Sequence, residues 1–509
     1  MALGVLRGSG TVAHGTDRDE TSPAPGAPRR APRVARQWQV AAVVIAGAFL
    51  ANLDLFIVNI AFPAIRADFV GSSLAQLSWV LNGYAIVFAA LLVPAGRLAD
   101  LVGRKRLFLG GLGLFVLASA LCAAAPGPWA LVGARVLQAI GAAFMIPPSL
   151  ALLLPEFPPH RRAAAVGLWT AGAAVAATMG PTIGGVLVAA SWRWVFLVNL
   201  PLGVLTAVAG VRILSEGRDP VRGRRPDLLG ALLLCLAIGA LALGIVKGGQ
   251  WGWASARVIG VEGFAAVSLV VFAVRSAHHP APVVEPALLR ARNTRAANAS
   301  VFLFSMAFFP LLLLSVLFLT AVWGYSALRA GLGVAPGPLM VALFSWPAGN
   351  LAGRVGPRRL VLPGVVLFAA ACMWWVWRAG TTPNYLLAML PAITLIGIGV
   401  SLTFPILAGA AVSGLPPERS ATGSAVFNMF RQIGGVVGVA VLVAIMGAGT
   451  PGLAEFRAGW AFMAAAALAA GGVALLLAHP EEDRPAHRPS RIARRIRRGS
   501  PPVSAGRAG

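Results

Sequence analysis

The chain has 509 residues, 58% of them apolar and 12% charged, with a mean hydropathy of +0.79. Soluble domains run near half apolar and a quarter charged, and disordered chains are poorer still in apolar residues, so this composition excludes both. The net charge of +25 sets 42 Lys and Arg against 17 Asp and Glu, but the basic residues lie between apolar segments and in both tails. They form no single basic face and no readable motif, so no nucleic-acid partner is expected.

Residues 1–37 are rich in Pro, Gly and Arg and read as a disordered basic tail without the apolar core of a signal peptide. Fourteen apolar segments follow, near 39–61, 78–99, 106–125, 129–154, 163–188, 194–214, 227–247, 257–275, 299–323, 331–353, 359–377, 385–411, 421–448 and 456–478. Each is long enough to cross a hydrocarbon core of ~30 Å as a helix. Residues 479–509 form a second basic tail, ending in the arginine-rich run 491–498. The sequence therefore predicts an all-α polytopic membrane protein.

Loop charge orients it. Arg97, Arg104, Lys105 and Arg106 follow span 2, Arg161 and Arg162 follow span 4, and arginines at 212, 218, 222, 224 and 225 follow span 6. Arg275, Arg290, Arg292 and Arg295 follow span 8, and Arg354, Arg358 and Arg359 follow span 10. The intervening loops carry at most two positive charges each. The heavier loops belong on the cytoplasmic side, with both termini, which requires an even number of spans.

Cys122, Cys235 and Cys372 fall inside apolar segments without paired spacing, and the six histidines sit in tails or loops, so neither a disulfide framework nor a metal site is expected. No phosphate loop, HExxH or Gly-x-Ser-x-Gly stands in strand–helix context, so neither an ATP-driven pump nor an enzyme is expected.

One internal repeat is legible. Gly96-Arg-Leu-Ala-Asp-Leu-Val-Gly-Arg-Lys-Arg106 aligns with Gly349-Asn-Leu-Ala-Gly-Arg-Val-Gly-Pro-Arg-Arg359 at an offset of 253. A weaker echo sets Arg162 and span 5 against Arg419 and span 13 at an offset of 257. Spans 1–6 (residues 38–214) and 9–14 (residues 299–478) are then two copies of a six-helix bundle. Residues 215–298 form a linker carrying an inserted pair, spans 7 and 8. Parallel six-helix halves place a substrate site between them.

Asp54 lies in the apolar middle of span 1, where a carboxylate is costly and a proton relieves that cost. It reads either as a proton-coupling site or as the structural partner of another buried polar group. Arg135 lies in the apolar run of span 4 and must meet an acid, carbonyl oxygens or a wet cavity, with Gln138 on its face. Asp100, beside Gly96, Gly103 and Arg104, reads as a gate. Its carboxylate can dock on Arg104 and on the positive start of span 13 near Ser420, a contact that Gly353 lacks in the second copy. Ala176, Gly180 and Gly184 form a small-residue stripe in span 5, kinked at Pro181, which would seal the two halves against proton leak. Asn59, Asn82, Gln138, Met145, Asn428 and Arg431 are candidates to line a substrate cavity. Glu262 in span 8 is expected to pair with Arg257.

These residues resemble the major facilitator superfamily and its fourteen-span drug–proton antiporter branch over about residues 39–478. The loop motif Gly96–Arg106 is similar to the superfamily's loop 2–3 motif. Arg135-Val-Leu-Gln-Ala-Ile-Gly-Ala-Ala143 resembles the fourth-helix motif, and Gly180-Pro-Thr-Ile-Gly-Gly185, with Gly167 upstream, resembles the fifth-helix antiporter motif. Leu53-Asp-Leu-Phe-Ile-Val-Asn-Ile-Ala-Phe-Pro63 and Trp192-Arg-Trp-Val-Phe-Leu-Val-Asn-Leu-Pro-Leu-Gly203 resemble segments typical of the branch. Phe56 stands where the branch usually has Thr, and Ala176 replaces one glycine. The resemblance implies the major facilitator fold and a part in proton coupling for Arg135. It also implies export of small amphipathic compounds, such as drugs or antibiotics, by alternating access in the plasma membrane. The proton gradient supplies the energy, no cofactor is needed, and the protein acts as a monomer in contact with lipid. Uptake or exchange of a metabolite, and a non-transporting scaffold, are the competing readings.

Overall fold

A computed structural model describes residues 33–158, 161–217, 226–413, 415, 419–447 and 451–478. The arginine-rich run 491–498 and nearly all of both tails lie outside these residues. The described chain is built of helices. Fourteen are long and apolar enough to cross a membrane: Arg36–Asp68, Leu74–Val102, Arg104–Ala123, Pro128–Glu156, Ala165–Ala190, Trp194–Ile213, Leu228–Trp251, Ala256–His278, Arg292–Ala321, Ala327–Ala352, Pro357–Arg378, Tyr385–Ser413, Thr422–Met446 and Leu453–Ala474. They are numbered here as spans 1–14. Helices satisfy their own backbone groups, which lipid cannot do, and this favours helix even across prolines such as Pro63, Pro94 and Pro181.

In the first bundle span 4 packs on spans 2 and 3, and span 1 lies against spans 4, 5 and 6. In the second, span 9 packs on spans 13 and 14, and span 11 on spans 12 and 14. The bundles meet where span 2 lies along span 13, span 5 along span 10 and span 1 beside span 9. Spans 7 and 8 pack on each other, and span 7 leans on spans 2 and 13.

Glycine permits the closest crossings, since lipid tails offer no hydrophobic drive and helices associate by fit. A Cβ on Gly434 or Gly438 of span 13 would strike the carbonyl oxygens of Phe302 and Met306 in span 9. A Cβ on Gly141 of span 4 would lie 2.8 Å from the Gly111 carbonyl oxygen in span 3. Between the bundles, a Cβ on Gly185 would lie 2.9 Å from Leu328 Cα, and one on Gly331 would strike the Pro181 carbonyl oxygen. These residues occupy the end of span 5 and the start of span 10. With every span reversing direction, that is the end of the molecule away from both tails, and there the halves are in backbone contact.

Gly103 (φ 123°) and Gly356 (φ 88°), one offset apart, precede the helices Arg104–Ala123 and Pro357–Arg378. Both angles lie in the region that disfavours side chains.

Replacing Gly438 by Ala forces Met306 off span 13 and is expected to destabilise by about 1–3 kcal/mol. Gly472→Ala, at a helical position where a Cβ meets nothing, is expected to be neutral or slightly stabilising. Thermal unfolding of the purified protein in detergent compares the two.

Candidate buried polar site

Asp54 and Arg135 are 0% and 1% exposed and form an ion pair in the first bundle, Arg135 Nη1 donating to Asp54 Oδ2. The same Nη1 donates to Gln138 Oε1 at 2.6 Å, and Arg135 Nε to the Val80 carbonyl of span 2 at 3.2 Å. Asp54 Oδ1 accepts from Gln138 Nε2 at 2.8 Å and from Asn199 Nδ2 of span 6 at 3.2 Å. Gln138 Nε2 also donates to Ser119 Oγ of span 3 at 2.8 Å. The Tyr84 ring lies under the guanidinium, its centroid 4.1 Å from Cζ. One carboxylate thus ties together spans 1, 2, 3, 4 and 6.

This answers the cost of burial. A charge at membrane depth is tolerated when paired and hydrogen-bonded, and here the guanidinium supplies the charge while two side-chain amides fill the remaining lone pairs. The i, i+3 spacing of Arg135 and Gln138 aims both at span 1. Asp54 shares the buried face of span 1 with Leu53, while Leu55 is part-exposed.

Two cavity candidates are corrected. Gln138 belongs to this buried network, with 0% exposure, and Met145, also 0% exposed, is packed into the apolar core of the first bundle. Asn59 donates to its own helix at Leu55 O, 3.1 Å away, and Asn428 to Ser424 O at 3.0 Å. Asn82 is 1% exposed with Nδ2 unpartnered. Arg431 is part-buried, with Nε unpartnered and its Cζ 5.9 Å from the Phe404 ring centroid.

The span 5 stripe is also corrected. A Cβ on Gly180 would lie 3.0 Å from Phe56 Cβ, and one on Gly184 2.9 Å from Ile57 Cγ1, so both glycines face span 1 of their own bundle. The halves instead meet through Pro181 and Gly185. Gly167 faces open space and fits no close crossing. Gly180 lets span 5 approach span 1 at Phe56, whose Cβ is the nearest atom.

At the loop after span 2, Asp100 Oδ1 accepts from Arg104 Nε and Nη2 at 3.0 and 2.9 Å. Ser420's side chain is outside the described set, so that half of the expected gate has no geometry here. Gly96 makes an ordinary contact with Pro147 of span 4. Gly103 has a partner that the sequence did not signal: Glu216, after span 6, accepts from the backbone N–H groups of Lys105 and Arg106 at 3.1 and 3.3 Å. A Cβ on Gly103 would lie 2.6 Å from Glu216 Oε1. Glu285, in the linker before span 9, pairs with Arg97 at 2.9 Å. The expected Glu262–Arg257 pair does not form; Glu262 lies against Gly244 of span 7, because a spacing of five residues sets it about 140° round the helix from Arg257.

Asn199, Ser119 and Tyr84 are the members of the central network to which the sequence reading gave no such role. Asn199 stands alone among apolar residues in Trp194–Gly203, a signal of the same kind as Asp54. Ser119 gives none, being one of many small residues.

A sequence profile described as Major Facilitator Superfamily matches residues 44–439. The chain is 35% identical over 405 residues to the multidrug resistance protein Stp of Mycobacterium tuberculosis (strain ATCC 25618 / H37Rv), covering 79% of this chain and 74% of that one. It is 34% identical over 434 residues to the probable actinorhodin transporter of Streptomyces coelicolor, covering 83% and 75%. It is 34% identical over 408 residues to the cephamycin export protein CmcT of Amycolatopsis lactamdurans, covering 79% and 84%. Among solved structures, the crystal structure of peptide transporter POT in complex with sulfate superposes with a TM-score of 0.63 at 15% identity, over 88% of this chain and 98% of that one. That likeness is one of fold.

Removing one partner of the buried pair strands the other. Arg135→Gln is expected to destabilise by about 3–5 kcal/mol, and adding Asp54→Asn to it to recover most of that loss. A double-mutant cycle of thermal stability in detergent measures the difference.

Proposed function

The chain belongs to the major facilitator superfamily, and on that premise we propose that it exports small amphipathic organic compounds, drugs or antibiotics among them, in exchange for protons. The observation that carries the proposal is the Asp54–Arg135 pair: an acid and a base buried together at membrane depth. Relatives named for drug resistance and antibiotic export support the class of cargo.

Protonation of Asp54 removes the negative charge that Arg135 faces and turns one carboxylate oxygen into a donor. The contacts to Gln138, Asn199 and Arg135 must then rearrange together, and these draw on five spans of one bundle. Such a device has two arrangements of different charge, which is what a proton needs in order to bias alternating access. Each proton entering down a potential of 100 mV releases ~2.3 kcal/mol.

The loop charges put both termini in the cytoplasm, so the contact of Pro181 and Gly185 with Leu328 and Gly331 closes the outer end of the path. The protein works in the plasma membrane as a monomer and takes no cofactor. Neutral or monocationic cargo suits it best, because among the described residues no second acid stands beside Asp54 to meet another positive charge.

Accumulation of a panel of dyes and antibiotics in efflux-deficient cells tests the reading. Wild type is expected to lower accumulation several-fold, and both Asp54→Asn, at matched membrane abundance, and a protonophore are expected to abolish the effect. Asp54→Glu, which keeps the acid, is expected to retain part of it. Undiminished export by Asp54→Asn would overturn Asp54 as the coupling site.

A further inference from the structure

At the loop between spans 10 and 11 an open cleft of about 290 Å³ is lined by Arg354, Arg358 and Arg359, with Gly356, Pro357 and Leu477. No described acid pairs with these three arginines, and no described side chain accepts from the backbone N–H groups of Arg358 or Arg359 at the start of the helix Pro357–Arg378. Its counterpart in the first bundle is complete. There Glu216, which follows the last span of that bundle, accepts from the N–H groups of Lys105 and Arg106, the second and third residues of the helix. Arg104, the first residue, donates its N–H to Gly217 O at 3.0 Å. The repeat offset of 253 maps these residues onto Pro357, Arg358 and Arg359. Proline at the first position has no N–H to satisfy, which leaves the same two donors, of Arg358 and Arg359, waiting for a carboxylate.

We propose that the acidic run Glu481-Glu482-Asp483 docks in this cleft and caps the helix Pro357–Arg378, in the role that Glu216 has for Arg104–Ala123. Three observations converge on this occupant. The run follows the last span of the second bundle, as Glu216 follows the last span of the first. The path to the run is short and anchored: Leu477 lines the cleft, and Ala478 is held by Asn293, its N–H donating to Asn293 Oδ1 at 2.9 Å while its carbonyl accepts from Asn293 Nδ2 at 3.2 Å. Three residues of chain reach at most ~10 Å, so Glu481 cannot stray far from the arginines. Charge is complementary as well. Gly353 stands where the first copy has Asp100, so the second loop has no internal acid to offset three arginines, and three acids arrive from the tail. Glu418, the other acid expected at this end of the second bundle, lies in the loop before span 13 and has Arg161 as its counterpart. The result is a clasp joining the start of span 11 to the end of span 14, matching the one between spans 3 and 6.

The test uses the full chain with Cys235→Ala, Val355→Cys and Arg484→Cys, purified in detergent and also reconstituted in vesicles containing anionic lipid. Disulfide formation under mild oxidation is read by intact mass after alkylation. The pair is expected to cross-link in both settings. Arg358→Glu with Arg359→Glu is expected to slow cross-linking about tenfold, and adding Glu481→Arg, Glu482→Arg and Asp483→Arg is expected to restore it, which also shows that the reversed loop folds. Equal rates in all three backgrounds, or a loss that the tail reversal fails to repair, would overturn the clasp. Cross-linking in detergent that disappears in anionic vesicles would assign the cleft to lipid headgroups instead.

Discussion

A carboxylate and a guanidinium buried side by side in an apolar bundle constrain everything near them. Neither can lose its partner without leaving a charge in a medium that cannot solvate it. Asp54 and Arg135 therefore hold span 1 to span 4. The groups that complete their hydrogen bonding, from Val80, Gln138 and Asn199, draw in spans 2 and 6. Ser119 extends the network to span 3 through Gln138. Apolar packing alone would let these helices slide past one another, since lipid offers no penalty for exposing leucine. The polar network fixes their register.

The small residues do a different job. Gly180 and Gly184 bring span 5 against span 1 one turn beyond Asp54, and so help exclude water from the ion pair. Pro181 and Gly185 of the same helix turn the other way, to span 10. Span 5 is thus a two-sided element, with one face against the charged core of its own bundle and the other against the opposite half. A shift in span 1 when the charge of Asp54 changes would be felt directly at the contact that closes the end of the molecule away from the tails. Packed helices with backbone contact cannot absorb such a shift continuously, so they change partners in discrete steps.

The sequence made the fold legible because a membrane leaves the chain few choices: length and hydropathy count the helices. It also singled out Asp54 and Arg135, since a lone charge in an apolar run is conspicuous. Their direct contact was not legible, because it depends on how spans 1 and 4 rotate, and 81 residues separate the two. The same limit explains Met145 and Gln138, which sit on faces whose direction only packing decides. The stripe in span 5 was found, but its partner was misjudged, since a small residue permits close approach without specifying from which side. Glu216 escaped notice because it lies among polar loop residues, where one more acid carries no signal.

The two halves repeat in backbone more deeply than in charge. Gly103 and Gly356 start equivalent helices with equivalent strained angles, yet the acids that surround the first have no counterpart among the described residues around the second. Among the described residues of the second bundle the one acid is Glu455, which caps its own helix at Gly452 at the end away from the tails. No described carboxylate therefore lies at membrane depth in that bundle, whereas the first bundle has Asp54. The second bundle carries an unpaired basic group, Arg431, and a buried Gln432 whose two amide atoms find no partner. Unpartnered polar atoms lie in both halves, Asn82 Nδ2 among them in the first. Under the proposed exchange of protons for cargo, a shift begun at Asp54 reaches the second half where span 2 meets span 13 and span 5 meets span 10.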